Sequence, residues 1–235
     1  MNSGRPGGKT GCGKPSDTNV YTDPRVADFI FAYLKPHFDD LIFHTQGIKT
    51  LDRYIRIFDA CSGKDHVLGN SIKNVISQNI YIPNSNLLLT YQDICMAGKS
   101  ILNSSHGLGN YDIIVCNPPW HPTKQAEEIY WFLVNLLKPD GVLFFLINNV
   151  FCYQGRERAE KLLFQKFYFL PRYVFANNFK MIVDPVSGEE KRKYKNLLDC
   201  GIMVYHKNSD MPGEAANLNC FIPIPKNIFT GVRNR

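Results

Sequence analysis

Asn117-Pro118-Pro119-Trp120 places an amide, two adjacent prolines and a large aromatic directly after the run Tyr111-Asp112-Ile113-Ile114-Val115-Cys116. The run reads as a buried strand, so the tetrapeptide falls where a strand hands the chain to a loop. Neither proline donates a backbone hydrogen bond, and each holds the residue before it extended, so helix and ladder pairing are both shut out. The loop is therefore stiff, with Asn117 at one end and Trp120 at the other. The Asn117 side-chain oxygen and the Pro118 carbonyl are two acceptors, matched to the two protons of an amine on a planar ring. Trp120 suits the ring itself, as a stacking surface for a base outside its duplex. The plainer reading, an ordinary strand-terminating turn, is outweighed by the motif. His121 reads as a turn residue or base contact rather than a proton shuttle.

Two further strand ends carry chemistry. Asp59-Ala60-Cys61-Ser62-Gly63 follows the strand-like Ile55-Arg56-Ile57-Phe58. A strand-end carboxylate, a glycine that admits close backbone approach and a helix start with open amides suit the charged amino-acid or nucleoside part of a ligand. The same residues have a structural reading, in which Asp59 caps the turn and Gly63 takes a positive φ. Asp93, after Leu87-Leu88-Leu89-Thr90, suits a ribose hydroxyl or an adenine amino group, as acids do at corresponding places in dinucleotide folds; its plain reading is a solvated strand end. A fourth segment is a decoy. Gly8-Lys9-Thr10-Gly11-Cys12-Gly13-Lys14 has P-loop spacing, but Pro15 replaces the magnesium-binding hydroxyl and no strand precedes it.

The order of these segments resembles the S-adenosylmethionine-dependent amino-methyltransferases of DNA, the enzymes that modify adenine and cytosine amino groups. Tyr21-Thr22-Asp23-Pro24 is similar to the family segment that covers the methionine part of the cofactor. Asp59 to Gly63 is similar to its Asp-Pro-Cys-x-Gly cofactor loop, Asp93 falls where an acid contacts the cofactor nucleoside, and Asn117 to Trp120 matches the catalytic motif. The resemblance covers about Val20 to Lys207 and is most specific at the tetrapeptide. It implies a Rossmann-like class I methyltransferase fold and S-adenosylmethionine as cofactor. The implied cofactor contacts are Tyr21, Thr22, Asp59, Ala60, Cys61, Ser62, Gly63, Asp93, Ile94 and Asn117, and the implied catalytic residues are Asn117, Pro118, Pro119 and Trp120. The implied reaction is methyl transfer to a base amino group, adenine in DNA first. An exocyclic amine is a poor nucleophile because its lone pair is delocalised into the ring. Acceptors on its two protons favour pyramidalisation and stabilise the positive charge that develops as nitrogen attacks the methyl. RNA adenines and protein glutamine amides use the same loop chemistry, and a non-catalytic subunit that holds nucleic acid is a third reading.

The chain departs from that family in two places. Lys64-Asp65 stands where members usually carry a second glycine, a variant also met in phage-type members. The spacing between segments also leaves no room for a target-recognition domain. Specificity is then expected from a basic helix, the turn near Lys191, a partner chain (a second copy or a specificity subunit), or not at all. Arg156, Arg158, Lys161, Lys191, Arg192 and Lys193 are the candidate phosphate contacts, with Trp120 and His121 at the base. From Phe151 to Lys207 there are eleven Lys/Arg against six Asp/Glu. A solvated basic face explains the same residues equally well.

Positioning these segments requires an α/β sheet. Asp23-Pro24 opens a helix with Val26, Phe29, Ile30 and Tyr33 on one face, ended by Pro36. Strands are expected at 55–58, 87–90, 111–116 and 142–147, with helices at 67–77 and 124–137, the latter closed by Lys138-Pro139-Asp140-Gly141. A basic amphipathic helix is expected over 156–167 and a final antiparallel strand pair at 172–179 and 200–206. Alternating strands and helices give a mostly parallel sheet with helices on both faces, and ligands sit at the carboxyl ends of its strands. Residues 1–19 read as a flexible tail, 20–210 as the methyltransferase domain and 211–235 as an irregular tail.

The chain-wide numbers fit this picture. The 235 residues are 44% hydrophobic, with 16 Phe and 12 Tyr, enough for one sizeable core. No apolar run is long enough to span a membrane and no secretory leader is visible. Seven scattered cysteines without a Cys-x-x-Cys pair argue against a disulfide framework or a zinc site, and for a reducing, cytoplasmic setting. Cys61 and Cys116 read as small buried hydrophobes. The formal charge of +6 permits a polyanionic partner.

Overall fold

The computed structural model describes residues 21–22, 24–37, 54–63, 66–78, 82, 84–92, 109–118, 123–148, 166–169, 182–183, 200–207 and 220–221. The elements are β1 (Tyr21–Thr22), α1 (Pro24–Tyr33), β2 (Ile55–Asp59), α2 (Val67–Ser77), β3 (Leu87–Tyr91), β4 (Tyr111–Cys116), α3 (Thr123–Leu136), β5 (Leu137–Asn148), β6 (Lys166–Phe169), β7 (Ile182–Val183), β8 (Cys200–His206) and β9 (Cys220–Phe221). Seven strands form one sheet in the order β3-β2-β4-β5-β8-β6-β9, while β1 and β7 make a separate antiparallel ribbon. β3, β2, β4 and β5 are mutually parallel. β8 then runs antiparallel to both β5 and β6.

Strand side chains alternate between two cores, as the period of two dictates. Ile55, Ile57, Ile113, Val115, Val142 and Phe144 pack on one face beneath α1 and α2, with Val26, Ile30, Phe31, Leu68 and Ile72. Phe58, Ile114, Cys116, Leu143 and Phe145 pack on the other face beneath α3, with Ala126, Ile129, Tyr130 and Leu133. Tyr130 sets its ring edge-on to Phe145 at 5.3 Å between centroids, a geometry that suits the ring quadrupoles. Both faces of β4 and β5 are therefore covered, which is why their sequences are continuous apolar runs. α1 and α2 lie side by side, and Ser71 Oγ donates to Asp28 Oδ1 across them at 2.6 Å.

The amino edge of the sheet is fastened by polar groups. Buried Asp112 Oδ2 accepts from the Arg56 amide at 2.8 Å and from Lys138 Nζ at 2.8 Å. His37, beyond α1, meets His206 at the end of β8, Nδ1 to Nε2 at 3.1 Å.

Most expected elements stand within a residue or two, and three expectations are corrected. The stretch 138–141 does not close α3 as a turn. Leu137 already pairs with Tyr111, the register then slips, and pairing resumes at Val142 with Ile113. Lys138 to Gly141 is thus a bulge inside β5, with Asp140 at φ 65 and its amide bonded to the Lys207 carbonyl at 3.0 Å. The expected basic helix does not extend to 167, because Lys166–Phe169 is β6, paired with β8. Three successive aromatics in Lys166-Phe167-Tyr168-Phe169 suit a strand, and the non-local partner decides. The final antiparallel partners of β8 are accordingly β5 and β6. The segment expected to fill that place, 172–179, lies outside the described residues, as does 156–165. Within 211–235, expected to be irregular, the apolar pair Cys220-Phe221 adds an edge strand to β6. Among the described residues no helix is long and apolar enough to cross a membrane.

Candidate active site

Three strand ends meet at the carboxyl edge and are laced together by backbone hydrogen bonds. Ala60 donates to the Val115 carbonyl at 3.0 Å, Gln92 donates to the Asp59 carbonyl at 2.9 Å, and Ser62 donates to the Gln92 carbonyl at 3.3 Å. The loop after β2 is therefore fixed to the ends of both β4 and β3. Asn117, half-buried, and Pro118, buried, leave β4 beside it. Thr22 is brought in from the far end of the sequence. It is buried and lines a small apolar cavity with Leu68, Val115 and Leu146. Tyr21 and Thr22 are held there as β1, paired with Val183 and Ile182.

Asp59 is fully buried, and its Oδ2 accepts the Gly69 amide at 2.8 Å. Gly69 is the third residue of α2, where amides lack helical partners. The residue before that helix, His66, makes no side-chain cap. The Asp59 carboxylate thus caps α2 from the preceding strand, a favourable place for a negative charge at a helix amino end. The fit is close: a Cβ at Gly69 would sit 2.9 Å from both Cβ and Oδ2 of Asp59. Gly69 is a site-building residue that sequence reasoning missed; a glycine in the first turn after a strand-end acid was the available signal. Gly63 takes φ 59, the left-handed conformation glycine adopts without steric penalty. Ala60 and Ser62 are buried and Cys61 is half-buried, with its Sγ 3.5 Å from Sγ of Cys116.

At the end of β3, Tyr91 stacks on His66 with ring centroids 4.1 Å apart and donates to Asn70 Oδ1 at 2.6 Å. Desolvation, and then the nearby Asp59 charge, push the Tyr91 phenol above its ordinary value of 10.0. Tyr91, His66 and Asn70 were not foreseen; the stacking depends on His66 at φ 50, a backbone choice with no local sequence mark. Of the expected site residues, Thr22, Asp59, Ala60, Cys61, Ser62, Gly63, Asn117 and Pro118 come together at this edge, with the Tyr21 backbone beside Thr22. Asp93, Ile94, Pro119, Trp120, His121, Arg156, Arg158, Lys161, Lys191, Arg192 and Lys193 lie outside the described residues, as do Lys64 and Asp65.

No family model matches the sequence, and no curated protein matches it. Solved structures do match. A protein of Listeria monocytogenes described as a class I S-adenosylmethionine-dependent methyltransferase superposes with a TM-score of 0.50 at 14% identity, over 89% of this chain and 67% of that one. A protein of Galdieria sulphuraria described as a sarcosine dimethylglycine methyltransferase gives a TM-score of 0.41 at 13% identity, over 78% and 85%. Phosphoethanolamine N-methyltransferase 2 of Haemonchus contortus gives 0.37 at 13% identity, over 81% and 39%. The chain has the Rossmann-like fold of the class I methyltransferases.

Proposed function

We propose that the chain transfers a methyl group from S-adenosylmethionine to the exocyclic amino group of a base, adenine in DNA. The observation that carries this reading is the junction of Asn117-Pro118 at the end of β4 with the laced Asp59–Gly63 loop at the end of β2. One edge of the sheet then holds a cofactor loop and a pair of amine acceptors side by side. The cofactor would be held by Thr22, the backbone of the Asp59–Gly63 loop and the start of α2, and would supply an electrophilic methyl on sulfur. The Asn117 side-chain oxygen and the Pro118 carbonyl would accept the two amine protons and hold the nitrogen pyramidal as its lone pair turns toward the methyl. The resulting ammonium is acidic and loses its proton to water. Trp120 would support the flipped base.

The basic residues have a topological argument. β6 ends at Phe169 opposite Gly201, and β8 begins at Cys200 opposite Asn148, the last residue of β5. The chain from 170 to 199 therefore leaves and re-enters the sheet at the same carboxyl edge. Its sequence contains Lys191, Arg192 and Lys193, side chains of the kind that meet a phosphate backbone.

Calorimetry with S-adenosylmethionine tests the first half of the reading, and no binding by the folded chain, alone or with DNA, refutes it. Transfer of labelled methyl to duplex DNA, single strands, RNA and protein tests the second half. Label in adenine of DNA is expected, and label in protein alone overturns the choice of substrate. Asn117→Ala is expected to abolish transfer with cofactor affinity held within a few-fold, because its role is on the amine. Retention of most activity would remove Asn117 from the mechanism.

A further inference from the structure

Cys61 and Cys116 stand on neighbouring parallel strand ends with their sulfurs 3.5 Å apart. Asp59 pairs with Val115, and the Ala60 amide bonds to the Val115 carbonyl at 3.0 Å, so the two backbones are held at strand spacing where the cysteines leave them. In that register Cys116 falls opposite Ala60 and Cys61 lies one residue further on, so a strand spacing of about 4.8 Å and a rise of about 3.3 Å put the two Cα atoms about 5.8 Å apart, within the separation that a disulfide spans. Only the sulfurs have to close, from 3.5 Å to a bond of about 2.05 Å. Half-buried Cys61 can turn toward Cys116, which is the more deeply buried of the two.

The geometry points to a reversible, peroxide-sensitive disulfide between Cys61 and Cys116. The thiolate of Cys61, the more accessible of the two, attacks one oxygen of hydrogen peroxide. An S–O bond forms as the O–O bond breaks, giving a sulfenic acid and, after proton uptake, water. The Cys116 thiolate then attacks that sulfur: the S–S bond forms, the S–O bond breaks, and hydroxide leaves to take up the thiol proton as a second water. The two thiols are oxidised by two electrons and one peroxide is reduced. A dithiol reverses the bond by exchange. The product ties the Asp59–Gly63 loop to the residue before Asn117 and fixes the separation of the two loops. This inference stands on strand register and sulfur distance and is independent of the methyl-transfer reading.

The full chain is treated with a small molar excess of hydrogen peroxide, remaining thiols are alkylated, and peptides are mapped by mass spectrometry without reduction. A cross-linked peptide pair containing Cys61 and Cys116, lighter by two hydrogens and lost after dithiothreitol, is expected. The oxidised chain is also expected to unfold at higher denaturant than the reduced chain. Neither the cross-link nor the shift should occur in Cys61→Ser or in Cys61→Ala, both of which keep buried Cys116. Alkylation of both residues after peroxide treatment overturns the inference, as does pairing of either with another cysteine, or a Cys61 adduct beside an unoxidised Cys116.

Discussion

At the scale of single residues, the buried carboxylate of Asp59 organises the candidate site through Gly69. It supplies the cap that His66 does not, and it admits only a hydrogen at the Gly69 Cα. Gly69→Ala sets two effects against each other. Helix propensity favours alanine by about 1 kcal/mol. Against that, the new methyl would meet Asp59 atoms at 2.9 Å in a packed core, an overfilling that typically destabilises by about 1–3 kcal/mol and here also strains a charge-assisted hydrogen bond. A net loss of stability is expected in urea unfolding, whereas an exposed helical glycine would show a gain. For Asp59 and Gly63 the structural reading of the sequence, a cap and a positive φ, is what the structure shows. What Asp59 touches was not legible, since a partner ten residues onward is chosen by how α2 docks and not by any local pattern.

At the scale of elements, the same division recurs. α1 and α2 were readable from the helical spacing of their apolar residues, and the parallel strands from short apolar runs bounded by polar segments. β6 and the bulge in β5 were not, because both depend on β8, which arrives from a distant part of the chain. The bulge also places Lys138 to pair with Asp112, so this acid holds β4, β2 and the start of β5 in register at the amino edge. Asp112→Ala leaves the Arg56 amide without that acceptor and Lys138 without that partner. Because the Lys138 side chain is 27% exposed, water recovers part of the loss. A destabilisation of about 1–3 kcal/mol is expected, measured by denaturant unfolding. Methyl transfer at a temperature where the variant is folded should be unchanged, since this edge lies opposite the candidate site.

At the scale of the whole molecule, the net charge of +6 is modest, so an encounter with a polyanion depends on where the cations lie. If Lys191, Arg192 and Lys193 meet phosphates, replacing all three by Gln weakens duplex binding and flattens its salt dependence. The slope of log affinity against log salt should fall in magnitude by about 0.9 for every phosphate contact removed. Fluorescence anisotropy across a salt series reads both, and an unchanged slope would locate the contacts elsewhere.

The reversal of direction at β8 has a further consequence. In an all-parallel sheet, a chain that leaves one strand at the carboxyl edge must cross to the other edge before the next strand begins. Here β6 ends and β8 begins at the same edge, so the connection between them requires no such crossing. The number of residues between Phe169 and Cys200 is therefore not set by a span across the sheet, and the pairing of β7 with β1 is a restraint upon it. On the methyl-transfer reading proposed above, exchange of the residues between Phe169 and Cys200 is expected to alter the choice of target while the sheet pairing and the Asp59–Gly69 cap stay as they are.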